Sequence, residues 1–139
     1  MKMHQKTLKA LVGICFGLAS LAVCAQSIKV TLAGSQEVPP VTTSASGTGS
    51  IMVSPDGSVS GSVTTTGVDG TMAHIHEAPM GQNGPVIVPF AKTADSVWSV
   101  PAGAKLTDAQ LQSLKSGNLY INVHSAANKG GEIRGQLKP

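Results

Sequence analysis

Gly49-Ser50-Ile51-Met52-Val53-Ser54-Pro55-Asp56-Gly57-Ser58-Val59-Ser60-Gly61-Ser62-Val63-Thr64-Thr65 is the stretch that decides the fold class. Two β-rich runs, Gly49–Ser54 and Ser58–Thr65, flank Pro55-Asp56-Gly57. Proline presets a turn dihedral, aspartate bonds its own backbone, and glycine accepts a left-handed conformation, so the segment predicts a β-hairpin.

The same pattern continues on both sides of the hairpin. Upstream, Ile28, Val30 and Leu32 alternate with polar neighbours in Ser27–Ala33, a strand with one buried face. Val38-Pro39-Pro40-Val41 interrupts it, because consecutive prolines cannot donate to a ladder. Downstream, Met72–His76 predicts a strand, and Gly81-Gln82-Asn83-Gly84-Pro85 predicts a loop before the apolar run Val86–Phe90. Ala91–Ala104 carries a weaker signal, a short strand marked by Val97, Trp98 and Val100 before Pro101. Asn118–His124 and Glu132–Leu137, the latter after Lys129-Gly130-Gly131, complete the set.

One segment has helical signals instead. Thr107 and Gln110 form a capping box, Leu106 and Leu111 occupy the positions of a hydrophobic staple, and Gly117 supplies a terminal cap. These predict a helix over about Asp108–Ser116 whose Leu111 and Leu114 cover an edge or end of a sheet. About seven short strands with regular turns then point to an all-β fold, an antiparallel β-sandwich of immunoglobulin-like, Greek-key type with one short helix. No segment repeats at a fixed period, which argues against propellers and solenoids.

The N-terminus predicts export. Met1–Lys9 carries Lys2, Lys6 and Lys9 without an acid, Ala10–Val23 is almost wholly apolar, and Val23-Cys24-Ala25 offers small residues to a signal peptidase. Cleavage is expected after Ala25, giving a signal peptide over 1–25 and one domain over 26–139. The apolar run is short for a membrane span, which needs about 20 residues, and no later segment is apolar enough. A lipobox, Leu21-Ala22-Val23-Cys24, would instead leave Cys24 lipidated, but Val23 stands where such motifs prefer a smaller residue.

Removal of the leader changes the chain's chemistry. Ten Lys and Arg become seven once Lys2, Lys6 and Lys9 are gone, equal to the seven acids, so the net charge of +3 falls to about zero. With no basic stripe and only Phe90, Trp98 and Tyr120 as aromatics, nucleic-acid binding is not expected. Cys15 and Cys24 both leave with the leader, so the domain must be stable without a disulfide. The expected location is periplasmic or secreted.

Three histidines remain, His74 and His76 in Met72–His76 and His124 at the end of the segment Tyr120–His124. Strand alternation puts Met72, His74 and His76 on one face, and Tyr120, Asn122 and His124 opposite the apolar Leu119, Ile121 and Val123. Two such strands side by side would bring the three imidazoles together. Borderline metals favour such a set. Copper is the first choice, because Met72 and Met80 offer soft sulfur nearby; zinc is second, with Glu77 or water completing a tetrahedron. Calcium is disfavoured by the scattered acids. Against this stands a plainer reading, in which His-x-His is two polar positions of a half-exposed strand bonded to Asn122, Ser125 or Glu77. Methionine, likewise, more often fills gaps in cores than ligates metal.

Three further motifs carry a resemblance. His74-Ile75-His76-Glu77 with Gly81-Gln82-Asn83-Gly84-Pro85-Val86, then Asn118–Ser125, then Gly130-Gly131-Glu132-Ile133-Arg134-Gly135-Gln136-Leu137, resemble in order the CHRD domain, named from chordin. The resemblance runs from about Ile28 to Leu137 and implies a secreted all-β domain, here a stand-alone member of bacterial type. It does not imply growth-factor antagonism, which in chordin accompanies cysteine-rich modules that this chain lacks. Glu132 and Arg134, two apart on a strand, predict a surface or cross-strand ion pair.

Catalysis is not expected. There is no Gly-x-Ser-x-Gly, no cysteine in the mature chain and no motif for a convergent carboxylate pair. A dinuclear copper and zinc dismutase site needs more histidines and a disulfide. Low-level redox activity at a single copper is the residual enzymatic reading. Two functions follow from the sequence: a metal-binding module using His74, His76 and His124, and a metal-free extracellular structural or adhesion module that binds a protein partner.

Overall fold

The alternation of Ile28, Val30 and Leu32 is realised in β1 (Gln26–Ala33), where all three are buried between exposed neighbours. The computed structural model describes residues 24–139, so the predicted leader lies outside the described residues except for Cys24 and Ala25. The hairpin forms as expected. β2 (Ser46–Val53) and β3 (Val59–Thr66) pair without interruption from Ser46↔Thr66 to Val53↔Val59. Asp56 holds the turn by accepting from the Ser58 N–H at 2.9 Å.

β4 (Gly70–Glu77) and β5 (Val86–Pro89) follow the expected boundaries closely. The weak region resolves into two short strands, β6 (Ala91–Ala94) and β7 (Val97–Ser99), paired antiparallel. β6 carried no apolar alternation to detect, since all four of its residues are exposed. The helix α1 (Asp108–Lys115) has both hydrogen bonds of its capping box, Gln110 N–H to Thr107 Oγ1 at 3.2 Å and Thr107 N–H to Gln110 Oε1 at 2.9 Å. Ser116 serves as its C-cap, and Leu106 and Leu114 are buried against the sheet's interior. β8 (Leu119–Ser125) and β9 (Ile133–Leu137) complete the chain.

All nine strands belong to one antiparallel sheet with the order β5-β4-β8-β9-β1-β2-β3-β7-β6. Its two outermost strands, β5 and β6, are separated along the chain by Phe90 alone, whose N–H donates to the Ala73 carbonyl at 2.9 Å. The sheet is therefore curled nearly closed around one apolar interior, filled by side chains such as Leu32, Ile51, Val63, Ile75, Ile121 and Ile133. The fold is all-β and antiparallel with one short helix, as the sequence predicts. Burial of these aliphatic groups supplies its stability, at about 25 cal/mol per Å² of apolar surface removed from water.

Candidate metal centre

β4 and β8 lie side by side, with Met72 opposite His124, His74 opposite Asn122 and His76 opposite Tyr120. On β4, Ala73 and Ile75 turn into the core, which leaves the two histidines on the other face. On β8, Leu119, Ile121 and Val123 are core residues, so Tyr120, Asn122 and His124 project to the same side as the β4 histidines. Alternation thus places the side chains where it predicts them. The environment is different, because every residue of β8 is buried on both faces.

Residues 78–85 and 128–131 cover this second face. His76 Nδ1–H donates to the Gly84 carbonyl at 2.9 Å, and His124 Nδ1–H donates to the Lys129 carbonyl at 2.8 Å. Gln136 Nε2 donates to the Ala78 and Gly117 carbonyls at 2.9 and 2.8 Å. Gly131, at φ +128°, closes against the Glu37 carboxylate and the Asn122 amide so tightly that a Cβ would collide with both. The backbone conformation favours glycine there, and any side chain would also have to displace those two groups.

The three imidazoles converge. One ring nitrogen from each of His74, His76 and His124 lies within 4.8 Å of the other two, and His74 Nδ1 is 3.0 Å from His124 Nε2. Among the described residues, no carboxylate oxygen and no cysteine sulfur joins this group. A carbonyl only accepts, so the bonds to Gly84 and Lys129 fix the proton of His76 and His124 on Nδ1 and leave each Nε2 as a lone pair when the ring is neutral. The same arrangement orients metal-ligating histidines. His76 Nε2 is buried and has no hydrogen-bond partner. Burial, and next the neighbouring His124 and His76, depress the His74 pKa to about 4. Burial also lowers His76, against the opposing effect of its bond to Gly84. Both rings are therefore neutral at pH 7, the form a metal takes. The donor set fits copper or zinc by its chemistry, and would not fit calcium.

The remaining sequence candidates fall around this group. Met72 shares the face and is half exposed. Met80 is exposed and lines a separate cleft of about 390 Å³ with Glu37, Arg134 and Gln136. The Glu77 carboxylate accepts from Ser113 Oγ at 2.6 Å, which commits it to the helix α1.

Arg134 is a correction to the expected surface ion pair. It is 1% exposed, its guanidinium carbon sits 3.4 Å from the Tyr120 ring centre, and it donates to Asn83 Oδ1, the Pro79 carbonyl and Gln136 Oε1 at 3.3–3.4 Å. Glu132 instead accepts from Thr43 Oγ1 at 2.8 Å. The Tyr120 ring also stacks on His76, with centroids 4.8 Å apart and planes 4° from parallel. A guanidinium and an imidazole, one from each flanking strand, therefore hold the tyrosine in place. Glu37 is 4% exposed, and burial raises its carboxyl to about 7 against the opposing charge of Arg134. Alternation along β8 already pointed to Tyr120 and Asn122; nothing in the sequence around the prolines marked Glu37.

The CHRD domain model matches residues 28–137, nearly all of the described chain. The chain belongs to the CHRD family. Its His-x-His strand, its β8 and its Gly-Gly-Glu-Ile-Arg segment, the three motifs of the resemblance, are the pieces that build the histidine group and its polar surround. No curated protein and no solved structure matches the chain.

Proposed function

We propose that this CHRD-domain protein is an exported metal-binding module, with copper as its preferred metal and zinc second, held by His74, His76 and His124. The observation that carries the reading is the convergence of three imidazoles, two of them with Nδ1–H committed to backbone carbonyls and Nε2 left to ligate. Family membership supports an extracellular β-module, and among the described residues no helix is long and apolar enough to cross a membrane. The role proposed is to hold an ion, and no residue is assigned a catalytic part. When bound, the metal would supply Lewis acidity and, for copper, a redox couple.

A second reading draws on the same contacts. His74 and His124 already bond each other at 3.0 Å, and His124 is tied to Lys129, so the rings also satisfy one another in a metal-free structural module. Thermal melts of the wild-type protein and a His74→Ala/His76→Ala variant, each with and without Cu²⁺ or Zn²⁺, separate the two. At roughly a hundredfold excess over Kd, a bound metal adds about 2.7 kcal/mol to wild-type stability and nothing to the variant. Superimposable wild-type melts with and without metal favour the structural module.

A further inference from the structure

Asn122 occupies the middle of the polar patch formed by β4 and β8. It stands directly opposite His74, two residues along β8 from His124 on the same face, and diagonal to His76. Its side chain is 2% exposed. The amide orientation is set from one side: Nδ2 donates to the Gly130 carbonyl at 3.3 Å and packs toward Gly131, beside the Glu37 carboxyl. Oδ1 is therefore turned away from Gly130. It is buried and has no hydrogen-bond partner.

His76 Nε2 is in the same condition, although Asn122 is a polar neighbour of the His76 ring. Each atom is a lone-pair donor, since the His76 proton is committed to Gly84. Two acceptors cannot hydrogen-bond to each other, and a buried one left unpaired is destabilising. One cation shared between them answers both. An amide oxygen is a hard, neutral ligand, at home on Zn²⁺ or Cu²⁺ and poorly suited to Cu⁺, which selects soft sulfur.

Resting on the metal reading above, we propose that Asn122 Oδ1 is the fourth ligand of the centre, making it an N₃O site for a divalent ion, Zn²⁺ or Cu²⁺. Met72, half exposed at the rim, is not needed to complete four-coordination.

The test is competition titration of the purified protein against a chromophoric chelator, with Zn²⁺ as the hard probe and Ag⁺ as a soft monovalent stand-in for Cu⁺. Wild type, Asn122→Ala and Asn122→Asp are compared. Asn122→Ala is expected to weaken Zn²⁺ by at least about tenfold while leaving Ag⁺ within about twofold, and Asn122→Asp, with an anionic oxygen, to tighten Zn²⁺ by about tenfold or more. Equal Zn²⁺ affinity in wild type and Asn122→Ala overturns the assignment. So does an equal loss for Zn²⁺ and Ag⁺, the mark of a residue that only positions the histidines. If Asn122→Ala does not fold, Asn122→Asp decides, and no gain for Zn²⁺ overturns the assignment. A wild type that binds neither Zn²⁺ nor Cu²⁺ removes the metal reading itself, an outcome distinct from the others.

Discussion

Glu37, buried, and His74, half-buried, have pKa values that move in opposite directions mainly for one reason, the cost of holding a charge away from water. Glu37 rises from 4.5 to about 7, so the folded state keeps a proton that the unfolded chain loses. Its contribution to stability is fully present below pH 4.5 and is lost as pH rises through about 7. His74 falls from 6.5 to about 4, so its contribution is present above pH 6.5 and is lost as pH falls through about 4. The two windows overlap and partly cancel in the wild type. Comparison with Glu37→Gln, which keeps a neutral hydrogen-bonding group, isolates the glutamate. In urea unfolding with a chelator present, the stability difference, variant minus wild type, is expected to grow between about pH 5 and about pH 8. A difference that stays flat, or reverses, contradicts the protonated Glu37. Neither group's behaviour was legible in the sequence, because burial of a polar side chain is decided by what folds over it.

At the scale of elements, the local signals were strong where hydrogen bonds close within a few residues. The capping box at Thr107 and Gln110 needs only four consecutive residues, and it forms where the residue types predict it. Thr107→Ala is expected to cost about 1 kcal/mol, read as a lower urea midpoint, with the metal-dependent shift in melting unchanged. An unaltered midpoint would show that α1 is held by Leu106 and Leu114 packing alone. The hairpin of β2 and β3 was equally legible, since its turn residues and its register are set by the same short stretch. β6 was not. Its four residues are all exposed, so although its partner β7 lies only two residues further along the chain, no apolar alternation marked it as a strand. Gly81–Pro85 reads in the sequence as a loop. In the structure the carbonyls of Gly84 in it, and of Ala78 and Pro79 just before it, bond His76, Gln136 and Arg134.

The whole molecule is one interior shared by a sheet that nearly meets itself, so no strand has a core of its own. Ile121 is wholly buried at its centre, directly beneath the histidine face. Ile121→Ala is expected to destabilise by about 2–5 kcal/mol, measured by urea unfolding, through lost burial and the cavity left behind. A loss below about 1 kcal/mol would mean that the sheet relaxes around the gap and that the interior is not close-packed. The sequence by itself determined the all-β class, the hairpin, the capped helix and the face on which each histidine stands, because alternation, turns and caps are fixed by residues within reach of one another. It also carried the three motifs of the CHRD family. Only the tertiary structure decided that β4 and β8 are neighbours, that the second face of β8 is covered, and that Arg134, Glu37 and Asn122 are buried around the imidazoles. Those outcomes depend on which distant segments pack together, and the free energy of a buried polar group depends on partners that the chain brings from far along its length.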